Sequence, residues 1–110
     1  MEDIATTKLA IADSLYSVIH NAMRATVVEG TAQSLNTEVV PVAAKTGTAQ
    51  IKSNTRVNSW VIGFFPSNKP RYAFVVIMED GPKVSSGASH AFKSVVQLFA
   101  NDPELLESIN

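Results

Sequence analysis

Four consecutive residues, Lys45-Thr46-Gly47-Thr48, bring a cation, two hydroxyls and a residue without a side chain into one short stretch. The run before them, Glu38-Val39-Val40-Pro41-Val42-Ala43-Ala44, is β-branched and small. It places the tetrapeptide in a strand reaching about Lys52, with Pro41 marking an edge strand or an irregular strand entrance. Side chains alternate along a strand, so Thr46 and Thr48 share one face and Lys45 takes the other. Glycine weakens a strand interior and marks close approach by a ligand or another backbone. Two hydroxyls beside a strand edge make an anion and peptide site. The competing chemistry, a phosphate-binding loop, needs a glycine-rich run before the lysine. Here Pro41-Val42-Ala43-Ala44 stands in that place, which excludes a nucleotide loop. Taken alone, the tetrapeptide also fits a surface strand with a solvated lysine, so its context must decide.

The elements that position it are legible on either side. Over residues 6–29 apolar side chains recur at helical spacing, as in Ile11, Leu15, Ile19 and Met23 with Ala12 and Tyr16 alongside. No proline or glycine interrupts this long amphipathic helix, and Gly30 ends it as a left-handed cap. After a polar turn, Ser53-Asn54-Thr55-Arg56, the run Ser59-Trp60-Val61-Ile62-Gly63-Phe64-Phe65 is too apolar to have a wet face and reads as a strand buried on both sides. The turn Pro66-Ser67-Asn68-Lys69-Pro70 leads to a third apolar strand, Tyr72-Ala73-Phe74-Val75-Val76-Ile77-Met78, closing an antiparallel meander. Beyond Asp80-Gly81-Pro82, Ser86 or Ser89 caps a second helix carrying Phe92, Val95, Val96 and Phe99 over one sheet face. In the tail, Asp102 precedes Pro103 at a helix's first position, in a helix short enough to fray. The fold class is therefore α/β or α+β: a three-stranded antiparallel sheet between a long N-terminal helix and a C-terminal helix.

Other chemistries find little support. Hydrophobic residues at 45% and charged residues at 17% describe a chain that folds rather than a disordered one. A net charge of −1 without a basic run excludes nucleic acid as a partner. No stretch approaches the length of a membrane span, and Met1-Glu2-Asp3-Ile4 lacks the basic start of a signal peptide, so the chain as written is expected to be soluble. With no cysteine, neither a disulfide framework nor a thiolate metal site exists, and cysteine usage is silent on compartment. His20 and His90 have no second metal-type residue at ligand spacing, and no metal is assigned. Glu79-Asp80 reads as strand-to-turn chemistry. Trp60, in an apolar run, is expected in the core, with an indole N–H that needs a partner.

The stretch Lys45-Thr46-Gly47-Thr48-Ala49-Gln50 followed by Asn58-Ser59-Trp60-Val61-Ile62-Gly63-Phe64-Phe65-Pro66 resembles the third and fourth strands of class B penicillin-binding proteins. Upstream, Met23-Arg24-Ala25-Thr26-Val27-Val28-Glu29-Gly30-Thr31-Ala32 is similar to the helix that enters that strand, and residues 88–100 resemble the family's last helix. The likeness spans nearly the whole chain, in order and in spacing. The family signature is a serine nucleophile three residues before a lysine, then a serine-aspartate-asparagine-like element, then lysine-threonine-glycine. Only the third is present: Ser14 leads to Ser17, Ser34 to Thr37 and Ser53 to Arg56. Ser34-Leu35-Asn36 and Ser108-Ile109-Asn110 match the middle motif's pattern but lie downstream of its usual place or beyond the lysine strand, and are read as coincidences.

The resemblance implies roles. Residues 1–110 would form the C-terminal portion of a transpeptidase domain, incomplete without the serine motif, its sheet part of a larger five-stranded one. Lys45 would face the middle-motif serine, assisting proton transfer and drawing in the substrate carboxylate. Thr46 and Thr48 would bind the terminal carboxylate of a stem peptide or of a β-lactam, Gly47 would let the ligand come close, and Gln50 would extend the same strand. The backbone N–H of Thr48 would be one half of an oxyanion hole. Peptidoglycan stem peptides and β-lactams would be the partners of the whole protein, on the outer face of the bacterial membrane and membrane-anchored, with no cofactor. The reaction would be serine acyl transfer that cross-links peptidoglycan, and the isolated chain is expected to be inactive. Two other readings remain: an oxacillin-hydrolysing type of serine β-lactamase or β-lactam sensor, and a non-catalytic remnant or interaction domain. The helix ending Val27-Val28-Glu29-Gly30-Thr31-Ala32 and the exit Phe65-Pro66 favour the transpeptidase. The resemblance also implies that a strand from the N-terminal part of the domain flanks residues 72–78; without it, and with no charge or proline there, the chain is expected to pair with itself through them unless Met1 to Thr7 or the C-terminal tail folds back over that edge.

Overall fold

The chain forms three strands, β1 (Ala43–Ile51), β2 (Arg56–Phe65) and β3 (Tyr72–Pro82), of which β2 and β3 are rich in β-branched and aromatic residues. They form one antiparallel sheet in the order β1-β2-β3, the expected meander. The computed structural model of the chain describes residues 9–51, 56–82 and 87–109. The sheet is preceded by helix α1 (Asp13–Glu29) and followed by α2 (Gly87–Asn101) and α3 (Pro103–Ser108), so the expected mixed α/β architecture holds. Strand limits differ from the sequence expectation. β1 begins only after Pro41-Val42, β2 starts at Arg56 rather than Ser59, and β3 continues past Met78 to Pro82. The last extension is held from the side: Arg56 Nε lies 3.1 Å from Asp80 Oδ1, and Asn58 accepts the Asp80 N–H at 2.8 Å. Lys52, the turn residues 53–55 and Ser86 lie outside the described residues.

The sheet's two faces have different fates. On one, Val61 and Phe65 meet α2: Phe92 stacks on Phe74 with ring centroids 3.7 Å apart and planes 10° from parallel, and Phe99 stands edge-on to Phe65 at 5.3 Å. Val27, Leu35, Val40, Val42, Ala44 and Val96 join this core. On the other face Trp60 is 38% and Ile62 45% exposed. The expectation that β2 is buried on both sides, with Trp60 in the core, is therefore corrected. Along β2 every second residue, from Val57 to Phe65, is buried, the period of a strand covered by helix on one side only. An apolar run reports that a strand can be buried twice. It does not say that both covers are present.

Helix α1 is shorter than its apolar periodicity. Residues 9–12 are not helical, Ala12 caps without a side-chain hydrogen bond, and residues 6–8 lie outside the described residues. Only Val27 in this helix is buried, while Leu15, Val18 and Ile19 are exposed. Helical stability in proteins comes chiefly from packing an apolar stripe, and the N-terminal turns here bury no side chain among the described residues. Gly30 also serves differently than expected: its φ of −112° is not left-handed. A Cβ there would stand 2.9 Å from the Thr26 backbone, and that crowding accounts for glycine. At the other end, Ser89 is inside α2 and fully buried, its hydroxyl without a hydrogen-bond partner among the described residues, so it does not cap. Asp102 does cap α3 as its sequence implies, accepting from the N–H groups of Glu104 and Leu105 at 3.0 and 3.3 Å. Among the described residues no helix is long and apolar enough to cross a membrane.

Candidate functional site

β1 is an edge strand, and no described strand pairs with its outer side. Its register against β2 sets Lys45 opposite Ile62, Thr46 opposite Val61, Gly47 opposite Trp60 and Thr48 opposite Ser59. Residues opposite one another in an antiparallel pair point the same way. Thr46, Thr48 and Gln50 thus form a row on the α2 side of the sheet edge, and Lys45 projects from the open face. This is the alternation expected from sequence. Thr48 and Gln50 are exposed and Thr46 is half-buried.

Two contacts hold this row from below. Arg24 in α1 donates to the carbonyl of Val42 at 2.7 Å, tying the helix to the strand entrance. Thr31, just after the helix, has its hydroxyl oxygen 2.6 Å from that of Thr46. Hydroxyls can donate and accept, so a Thr31 hydroxyl that donates leaves the Thr46 proton available to an incoming anion. Neither Thr31 nor Arg24 stood out in the sequence, since both look like ordinary helix-end residues. Only the fold brings them 15 and 18 positions along to the strand.

On the open face the lysine Nζ donates to the carbonyl of Thr46 at 2.6 Å. Lys45 lies at the rim of a cleft of about 460 Å3 between α1 and the sheet, whose walls include Val18, Ile19, Met23 and Ile62. An ammonium beside apolar walls acts through a lower effective dielectric than one in bulk water. Gly47 is explained by its neighbour: a Cβ built there would fall 2.2–2.4 Å from Nε1, Cε2 and Cζ2 of Trp60. The close approach that glycine signals is made, on this face, by an indole ring. Trp60, expected to be core, is instead the cover of the central residue of the motif.

The remaining candidates fall elsewhere. Ser34 and Asn36 border a pocket of about 150 Å3 against Lys93 of α2, with no lysine-threonine-glycine residue in its wall. Ser108 Oγ donates to the carbonyl of Leu105, and Asn110 lies outside the described residues. His20 packs on Phe64 with ring centroids 4.6 Å apart, and His90 is exposed. No group of three or more metal-type ligands occurs among the described residues.

Residues 2–99 match the family model described as the penicillin binding protein transpeptidase domain. The chain belongs to that family. Solved structures agree in fold. The D,D-transpeptidase domain of a peptidoglycan glycosyltransferase from Eggerthella lenta superposes with a TM-score of 0.73 at 23% identity, over 94% of this chain and 25% of that one. The transpeptidase domain of FtsI4 D,D-transpeptidase from Legionella pneumophila gives 0.59 at 26% identity, over 80% of this chain and 37% of that one. Penicillin-binding protein A from M. tuberculosis, in its imipenem acyl-enzyme complex, gives 0.61 at 22% identity, over 84% of this chain and 21% of that one. The 110 residues thus span between about a fifth and two-fifths of these chains. No curated protein matches in sequence.

Proposed function

We propose that β1 is the substrate-binding wall of a peptidoglycan D,D-transpeptidase, with Thr46, Thr48 and Gln50 contacting a peptide laid along the strand edge and Lys45 acting from the opposite face. The observation that carries this reading is the row of two threonines and a glutamine on an edge strand whose outer side pairs with no described strand. An extended peptide gains affinity there by main-chain pairing, and hydroxyl donors select its carboxylate end. Thr31 aligns the Thr46 hydroxyl for that donation. The Thr48 N–H serves as one oxyanion donor, worth about 3 kcal/mol in the transition state. A serine supplied by other residues of the domain attacks the penultimate D-alanine carbonyl, D-alanine leaves with the proton, and an amine of a neighbouring stem peptide releases the acyl group. β-Lactams take the same place by mimicking the stem peptide. Such chemistry belongs on the outer face of the cytoplasmic membrane, where its substrate lies.

This chain contributes binding and not acylation, because no serine in it precedes a lysine by three residues. Isotope-labelled chain titrated with an acylated D-alanyl-D-alanine peptide tests the reading by NMR. Amide shifts concentrated on residues 45–50, and weakened by Thr48→Val, are expected. Shifts absent at saturating peptide, or confined to the α1 cleft, would sink it. In the same experiment, incubation with fluorescent penicillin leaves the intact mass unchanged; a stoichiometric adduct would show a nucleophile that the motif reading overlooks.

A further inference from the structure

Thr31 Oγ1 lies 2.6 Å from Thr46 Oγ1, at the short end of the range for a hydrogen bond between hydroxyls. We propose that Thr31 is a positioning residue that makes the Thr46 hydroxyl selective for a ligand ending in a charged carboxylate over the same ligand ending in a neutral amide. This role rests on the reading of β1 as a peptide-binding edge. It adds to that reading the residue that sets which end-group chemistry the edge prefers.

The fold holds Thr31 from both sides along the chain. Ahead of it, the N–H groups of Gly30 and Ala32 both donate to the Thr26 carbonyl at 3.1 Å, so the chain leaves α1 in a tight turn. A Cβ on Gly30 would stand 2.9 Å from Thr26 backbone atoms, which reserves that turn for glycine. Behind it, Ala32 is fully buried in the core, and its carbonyl accepts from the Leu35 N–H at 3.0 Å. Arg24 fastens the same helix to the strand entrance through the Val42 carbonyl. With its backbone pinned and a β-branched side chain that has few χ1 rotamers, Thr31 presents its hydroxyl to Thr46 in a preset place.

The direction of the bond decides what it does. A hydroxyl has a single proton to give and can accept as well. When Thr31 donates, Thr46 accepts inward and keeps its own proton for the ligand. Bonds in such a chain polarise one another, and a bond to an ion is roughly twice as strong as one between neutral groups, so the benefit goes mainly to an anion. A carboxamide brings N–H donors of its own, and Thr46 can meet it by accepting. In the reverse arrangement Thr46 donates to Thr31, the ligand competes for that proton, and loss of the Thr31 hydroxyl leaves carboxylate binding unchanged or tighter.

An N-acylated D-alanyl-D-alanine peptide with a free carboxylate and the same peptide with a C-terminal amide, each titrated into the isotope-labelled 110-residue chain and followed by NMR, separate these cases. Thr31 is exposed, and valine keeps its shape without the hydroxyl. Thr31→Val should weaken the carboxylate peptide about fivefold and the amide less than about twofold, and Thr31→Ser should bring the carboxylate peptide back to within about twofold of the unsubstituted chain. Thr46→Val should also weaken the carboxylate peptide, and adding Thr31→Val to it should lose no further affinity, because the effect passes through Thr46. A general loosening of the strand end would weaken both peptides alike and would not need Thr46. Equal loss for the two peptides, carboxylate binding unchanged or tightened by Thr31→Val, no rescue by serine, or additive losses in the double variant overturns the role of Thr31 and leaves the peptide-binding edge standing. An unsubstituted chain whose residues 45–50 shift with neither peptide overturns both.

Discussion

The two faces of one small sheet hold residues of the same apolar kind and treat them oppositely. On the α2 side Val61, Phe65, Phe74 and Phe92 are packed into a closed aromatic cluster. On the other side Trp60, Ile62, Val75 and Ile77 are between 38% and 64% exposed, and of these Ile62 lines the α1 cleft with Lys45 at its rim. The difference teaches that apolar content sets what a strand could bury, while the neighbouring elements decide what it does bury. The motif sits at the boundary: its threonines belong to the packed side and its lysine to the open one.

Deleting a side chain from the packed face is expected to have the largest effect. Phe92→Ala removes the ring stacked on Phe74 and should cost about 3–5 kcal/mol, enough to unfold much of a small domain, as urea denaturation followed by circular dichroism would show. A loss under about 1 kcal/mol would mean that this face is no better packed than the other. Gly47→Ala should cost about 1–3 kcal/mol by driving a methyl into the Trp60 ring, and adding Trp60→Ala should return most of it. Additive costs in that double-mutant cycle would separate the glycine from the indole. Thr31→Val breaks the hydroxyl pair beneath Thr46 and should cost about 1 kcal/mol, while weakening stem-peptide binding without moving its site. Ile62→Thr, on the open face, should change stability by less than about 0.5 kcal/mol in dilute solution; a core-sized loss would show that the face is covered.

Much of this was legible before the fold. The meander, the second helix and the Asp102 cap follow from local patterns, because strand alternation, apolar spacing and capping chemistry act between residues a few positions apart. The expected start of α1 fails for a reason of the same kind inverted: Ile11 and Ala12 continue a helical period, but among the described residues the N-terminal turns bury no side chain that would reward another turn of helix. The terminus at Gly30 was found with the wrong cause, since crowding against Thr26 and a left-handed cap both call for glycine.

By itself the sequence determined the identity and facing of the motif: Lys45 on one side of a strand, Thr46, Thr48 and Gln50 on the other, and no serine-x-x-lysine anywhere in the chain. These follow from the period of a strand and from residue identity alone. Tertiary structure decided which face is dry, that Trp60 lies over Gly47, and that Thr31 and Arg24 support the strand from a distant helix end. Such contacts join positions far apart in the chain. They depend on where whole elements come to rest, and helices and sheets are placed by the sum of many small packing energies that no local pattern encodes.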